Sequence, residues 1–282
     1  MKDRKALRLF FIITILISIV WETAYIVNPQ SIFILLLMWT PGTAGIIASK
    51  IYYKGENALG IRFCKLRYIL TGILIPVLYL TVSYVGAWGI LKDSTVGVDT
   101  LAIYLGYTSM NENGPVSLYI AIVILVGLLS SCLSAMGEEL GWRGFLYPVM
   151  ERVMGRKKAL LMGGLIWAVW HMPIMIAGLY QANTQLVYGL LTFTVQIVLM
   201  SIIMSWLRIK TNSLLPALLI HASHNLFDQM VFQPLSTERY VPYLAGEQGI
   251  LTILVVVIIT GCVVWSWRKE SLENSLQYEV IE

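Results

Sequence analysis

The sequence predicts an all-α membrane protein: a polytopic bundle of about eight transmembrane helices that forms a single domain over residues 1–282. Hydrophobic residues make up 57% of the chain and charged residues 13%, and the mean hydropathy is +0.74, well outside the range of soluble domains. The apolar residues also fall into blocks of about 20, the length that an α-helix needs to cross ~30 Å of hydrocarbon. Both properties indicate an integral, multi-pass membrane protein.

Eight blocks of this kind can be placed along the chain. They cover about residues 7–27, 31–49, 68–91, 116–136, 159–178, 185–207, 213–232 and 249–267. The first block is interpreted as a retained helix, because no small-x-small cleavage site follows its apolar core. A short polar tail, residues 268–282, closes the chain.

The basic residues predict the orientation of the helices, because cytoplasmic loops of membrane proteins carry an excess of Lys and Arg. With eight spans and a cytoplasmic N-terminus, all 20 basic residues except Lys92 and Arg239 fall in cytoplasmic segments. Both termini are then cytoplasmic. The net charge of +4 is thus a consequence of membrane orientation, and nucleic acid is not expected as a partner.

Few ionisable residues lie within the blocks, and such residues are the first candidates for function because placing one in hydrocarbon costs about 2.5–3.5 kcal/mol. All three histidines of the protein are among them. They are Glu22, Glu138, Glu139, His171, His221, His224 and Asp228. The cysteines are isolated and indicate neither a disulfide framework nor a zinc ribbon.

The stretch AMGEELGWRGFLYP, residues 135–148, places two adjacent glutamates and an arginine at the end of a hydrophobic block. Glu139 and Arg143 are four residues apart in the order that favours an ion pair on a helix. Glu138 points about 100° away and is left free to face a cavity. The glycines of this stretch predict that another helix packs closely against it. The alternative is that both glutamates are interfacial charges whose side chains reach water.

Two further segments supply polar side chains. GGLIWAVWHMP places His171 one turn after Trp167, and HASHNLFD places His221, His224, Asn225 and Asp228 within about 100° on a helical wheel. We expect three helices to direct these groups into a common interior. A lone transmembrane histidine can also be a hydrogen-bonded packing residue.

These residue types suit the addition of water to an amide. A partly desolvated glutamate can act as general base toward water, and imidazole or amide groups can donate to the oxyanion that develops. Glutamate and two histidines could instead hold Zn²⁺, although no His-Glu-x-x-His motif is present. A transporter with an intramembrane proton relay is an alternative from another class, without support from an inverted repeat.

The segments together resemble a known family. EELGWR fits the Glu-Glu-x-x-x-Arg motif of the type II CAAX prenyl endopeptidase and bacteriocin-processing family, CPBP or ABI. WAVWH resembles its second motif, with Trp167 where Phe is more usual, and HASHN resembles its His-x-x-x-Asn motif. The three motifs occur in the family's order, and the resemblance covers about residues 115–232.

The resemblance implies an intramembrane endopeptidase with Glu138, His171, His221 and Asn225 as catalytic residues and with Glu139 and Arg143 in support. Family members are described both as metalloproteases and as glutamate proteases, so Zn²⁺ held by Glu138, His171 and His221 stays open as a cofactor. A non-catalytic immunity or scaffold protein on the same fold is a further alternative.

The implied partners are membrane lipid and a peptide or protein substrate, with lipid-modified or membrane-associated substrates among the candidates. The expected location is the cell membrane of a prokaryote.

Overall fold

The computed structural model describes residues 1–54, 58–92, 94–97, 101, 103 and 116–279, with the side chains of 116–119, 123 and 269–279 left out. The described part of the chain is built from helices and contains no strand beyond an isolated bridge between Thr95 and Ser236. This agrees with the predicted all-α class. The start of the predicted 115–232 region and the last three residues of the polar tail lie outside the described residues.

The helices follow in order along the chain. They are α1 (Lys2–Val27), α2 (Ser31–Met38), α3 (Thr40–Tyr52), α4 (Leu66–Ile90), α5 (Val116–Glu139), a π-helix π1 (Leu140–Leu146), α6 (Tyr147–Met154), α7 (Arg156–Ile176), α8 (Leu186–Thr211), α9 (Leu215–Asn225), a second π-helix π2 (Leu226–Phe232), α10 (Val241–Leu244) and α11 (Ile250–Glu279). The tail after residue 268 continues α11 up to Glu279.

Seven helices of the described chain are long and apolar enough to cross a membrane, one fewer than the eight predicted. The missing one is the block predicted at 213–232, which is helical but split into α9 and π2. Its polar residues, among them His221, His224, Asn225 and Asp228, lower the mean hydropathy of that stretch. The side chains that make this segment a functional candidate therefore also exclude it from the helices that are apolar enough to cross a membrane.

Two predicted blocks differ in local structure from a single regular span. The block at 31–49 is divided into α2 and α3, because Pro41 in the first turn of α3 has no N–H to continue the preceding helix. The block at 116–136 runs on without a break through π1 and α6 to Met154. The glutamate pair therefore lies within a long helix rather than at its end.

Close packing of α2 and α3 against the glutamate segment depends on glycine, as the sequence predicted. A Cβ atom on Gly137 would lie 2.6 Å from the Cα of Trp39, and one on Gly141 would collide with the backbone of Pro41. Gly144 is less tightly enclosed, with its nearest neighbour 3.3 Å away. The small residues let two backbones meet at the glutamates and exclude lipid from them.

Around this contact, α9 packs on α4 and α5, while α7 packs on α8. The three motif segments consequently meet inside the bundle.

Candidate active site

Both glutamates of the first motif are buried at the junction of α5 and π1. Glu138 is 1% exposed and Glu139 is fully buried. A π-helix adds a residue to a helical turn and is frequent at functional sites, and here it begins directly after the pair. The interfacial alternative, with both carboxylates reaching water, is therefore not what the structure contains.

The carboxylate of Glu139 is compensated by neighbouring basic side chains. Its Oε1 accepts hydrogen bonds from an Arg143 guanidinium nitrogen at 2.9 Å and from His221 Nδ1 at 2.9 Å. The Arg143 guanidinium also lies over the Trp167 ring, 3.9 Å from its centroid, a favourable cation–π arrangement. The expected ion pair of Glu139 and Arg143 is thus present, and it is joined to the other two motifs.

Glu138 has a different environment. Its Oε2 accepts a hydrogen bond of 2.7 Å from the Trp167 indole N–H, and it lies 4.0 Å from His171 Nε2. His171 Nδ1 lies 2.9 Å from the Trp167 carbonyl oxygen, which can only accept, so Nδ1 carries a proton. In the neutral ring Nε2 is then an acceptor. At this separation, one water molecule lying beside the line between Nε2 and Oε2 could form hydrogen bonds to both atoms.

We call Glu138, Glu139, Arg143, Trp167, His171 and His221 the motif cluster. Asn225 lies one helical turn after His221, at the last residue of α9, and is half-buried. No hydrogen bond of its side chain is found among the described residues. Its predicted catalytic role stays a prediction.

The polar stripe of the third motif faces the interior of the bundle as predicted, but it divides between two clusters. His221 contacts Glu139, whereas His224 and Asp228 meet Glu247, a residue of the segment before α11. We call His224, Asp228 and Glu247 the second cluster. All three are buried, with exposures of 2%, 0% and 3%.

Sequence reasoning missed Glu247, which lies outside the predicted blocks and in none of the three motifs. Its position between Gly246 and Gly249 was the available signal, because glycines allow a loop to approach a helix closely. Gly246 has a φ of 82°, and a Cβ there would lie 2.9 Å from the Tyr84 hydroxyl oxygen and 3.1 Å from an Asp228 oxygen.

Tyrosines surround the second cluster, and one of them links it to the motif cluster. The Tyr180 hydroxyl donates to Glu247 at 2.7 Å, while its ring stacks on His171 with centroids 5.6 Å apart. Burial raises the pKa of Glu247, but hydrogen bonds from His224 and Tyr180 and the nearby imidazoles together hold that pKa below its ordinary value.

The two clusters differ in whether their side chains are spaced to bind a metal ion. Among the described residues, the second cluster is the set of three whose ligand atoms all lie within 4.8 Å of one another. Glu138, His171 and His221 do not form such a set. Their residue types suit Zn²⁺, but their spacing does not, so the metal role predicted for them stays a prediction.

Comparison with known proteins agrees with this geometry. The family model described as type II CAAX prenyl endopeptidase Rce1-like matches residues 119–227, a range that includes all three motifs. The chain is 27% identical over 268 residues to CAAX prenyl protease 2 of Methanococcus maripaludis, an alignment that covers 89% of this chain and 92% of that protein. The predicted resemblance is confirmed: the chain is similar to the Rce1-like type II CAAX prenyl endopeptidases and is a multi-pass membrane protease.

Proposed function

We propose that the protein hydrolyses a peptide bond with a water molecule activated by Glu138. The observation that carries this proposal is that the two adjacent glutamates have different hydrogen-bond partners. Glu139 accepts from Arg143 and His221, whereas Glu138 accepts only the indole N–H of Trp167 among the described residues and faces His171 Nε2 across 4.0 Å. A water molecule hydrogen-bonded to both Glu138 and His171 would give its proton to Glu138 as it attacks the scissile carbonyl carbon.

The remaining motif residues receive supporting roles. His171 would hold the water through Nε2, since its Nδ1 proton is occupied by the Trp167 carbonyl. Arg143 and Glu139 would hold His221 and Trp167 in place. Asn225 would donate its amide to the oxyanion, because an amide N–H₂ is a donor whereas it is a poor zinc ligand compared with imidazole.

Zn²⁺ is the alternative means of activating the water, and it would be held by Glu138, His171 and His221. A zinc ion lowers the pKa of bound water and polarises a carbonyl group. Because the spacing of these three residues does not form a ligand set, we propose the metal-free route for this cluster.

The substrate class follows from the relatives. We propose a membrane-associated peptide or protein that ends in Cys-a-a-X with a prenylated cysteine, as the names of the family and of the Methanococcus relative indicate. Bacteriocin-type peptides are the second candidate substrates. We also propose the cell membrane of a prokaryote as the location, by analogy with that archaeal relative.

The test uses purified protein in lipid vesicles and two peptides that differ only in prenylation of the Cys-a-a-X cysteine. We expect wild-type protein to cleave the prenylated peptide and Glu138→Gln to lower kcat by about 10²–10⁴, the range for loss of a general base. Product masses identify the bond that is cut. Metal-depleted wild-type protein is measured in parallel and is expected to retain its activity.

Three outcomes would contradict parts of the proposal. Full activity of Glu138→Gln would remove Glu138 from the chemistry. Equal rates on the two peptides would show that prenylation is not recognised. Cleavage of neither peptide by wild-type protein would favour the transporter or the non-catalytic scaffold alternative.

A further inference from the structure

The second cluster is separate from the glutamates and histidines of the three family motifs. It offers a set of side chains that can bind a metal ion. One imidazole nitrogen of His224 and one oxygen each of Asp228 and Glu247 lie within 4.8 Å of one another. His224 Nε2 and Glu247 Oε1 are 3.0 Å apart. One imidazole and two carboxylates form a donor set that suits Zn²⁺ and other divalent transition metals, with a further position left for water.

Each ligand is oriented by a second polar group, as is usual in metal sites. The Tyr79 hydroxyl lies 2.7 Å from His224 Nδ1 and therefore leaves Nε2 to face the carboxylates. Tyr84 and Gln233 donate to the two oxygens of Asp228 at 2.8 and 2.9 Å. These partners hold the ligands in place without occupying the space between them.

With both of its carboxylates ionised, the second cluster has a net negative charge unless a cation is bound. Asp228 and Glu247 are buried carboxylates, and their hydrogen bonds and ion pairs come from histidine, tyrosine and glutamine. No Lys or Arg partner occurs among the described residues. Even a protonated His224 would leave one negative charge, and burying an unpaired charge is costly. With neutral His224, a bound divalent cation would bring the net charge of the second cluster to zero.

An access route reaches this cluster from the protein surface. A cavity of about 450 Å³ includes Tyr84 and Gln233 in its lining, the two residues that donate to Asp228. A narrow cleft shares both residues with the cavity and is lined in addition by Gly246 and Glu247. A hydrated ion in the cavity would therefore be separated from the carboxylates by two side chains.

We propose that His224, Asp228 and Glu247 bind one divalent transition-metal ion, with Zn²⁺ as the first candidate. The ion would fasten the end of α9 and the start of π2 to the segment before α11. Its role is structural, because the proposed water-activating pair, Glu138 and His171, does not belong to the ligand set. Through Tyr180 it would also steady the ring of His171.

The experiment measures metal content in tag-free protein that has been stripped with a chelator, incubated with Zn²⁺ and desalted. We expect about one zinc per chain in wild-type protein and in Glu138→Gln, and a loss of at least tenfold in affinity in Asp228→Asn and in Glu247→Gln. Glu138→Gln is the matched control, since it removes a buried carboxylate from the other cluster. Zinc should also raise the thermal unfolding midpoint of wild-type protein and of this control.

A further variant tests the site even if the ligand variants fail to fold. Tyr84→Phe keeps all three ligands and removes one hydrogen bond to Asp228, and we expect it to weaken zinc binding by about 10- to 100-fold. Wild-type zinc content in Asp228→Asn and Glu247→Gln would overturn the proposal. Absence of zinc from folded wild-type protein at excess metal would overturn it too, and would assign the missing positive charge to a shared proton.

Discussion

The motif cluster and the second cluster hold the same kinds of groups but balance their charges differently. Each contains two buried carboxylates and at least one histidine. The motif cluster includes its own cation, Arg143, which lies 2.9 Å from Glu139. The second cluster has neutral tyrosine and glutamine donors instead. A cation within the cluster therefore holds one carboxylate in an ion pair, while the neighbouring carboxylate stays available for chemistry.

The largest expected effect comes from removing that built-in cation. Arg143→Ala leaves Glu139 buried with only His221 as partner, and breaking a buried pair in this way costs about 3–5 kcal/mol. We expect a much lower thermal unfolding midpoint in detergent than for Glu138→Gln, which keeps Arg143 and Glu139. Equal stability of the two variants would show that the motif cluster tolerates an uncompensated carboxylate.

A somewhat smaller effect is expected for the proposed oxyanion donor. Asn225→Ala should lower kcat by about 10²–10³ with little change in KM, as for the loss of one oxyanion donor in other enzymes. Asn225→Asp should be at least as damaging, since it places a negative charge beside the developing one. Unchanged kcat in Asn225→Ala on a cleavable peptide would remove Asn225 from the active site.

The smallest of these effects concerns Trp167, where this chain departs from the phenylalanine more usual in the family. Trp167→Phe removes the N–H that donates to Glu138 at 2.7 Å, and a hydrogen bond to a charged group contributes about 1.5–3 kcal/mol. We expect a lower unfolding midpoint and a smaller loss of kcat than in Glu138→Gln. Measurements of both quantities in the two variants would decide whether the indole holds Glu138 in place.

The sequence predicted the part of the motif cluster that lies within one helix. The four-residue spacing of Glu139 and Arg143 predicts an ion pair on one helix, and the structure contains it. Glycines predicted the close helix contact, and Gly137 and Gly141 provide it. The family motifs then identified which helices meet, a step that spacing alone could not supply.

The second cluster could not be predicted in the same way. Its members come from α9, π2 and a loop, and its tyrosine donors come from α4 and from the turn after α7. Residues 1–115 showed no motif, yet Tyr79 and Tyr84 lie there and complete the cluster. A helical wheel assumes a constant 100° per residue, whereas π2 changes the helical phase after Asn225. Contacts between distant segments and a change of helix type leave little trace in periodicity.

The two π-helices also bear on how relatives are aligned with this chain. Each begins directly after a motif residue, π1 after Glu139 and π2 after Asn225. An extra residue in a turn rotates everything that follows by about 100° relative to an uninterrupted α-helix. A relative that lacks one residue inside either segment and continues as an α-helix would keep its downstream side chains in the same places as in this chain. A relative of equal length with an uninterrupted α-helix there would instead turn its downstream side chains toward different neighbours, so identity beyond the segment would not imply equivalence in space.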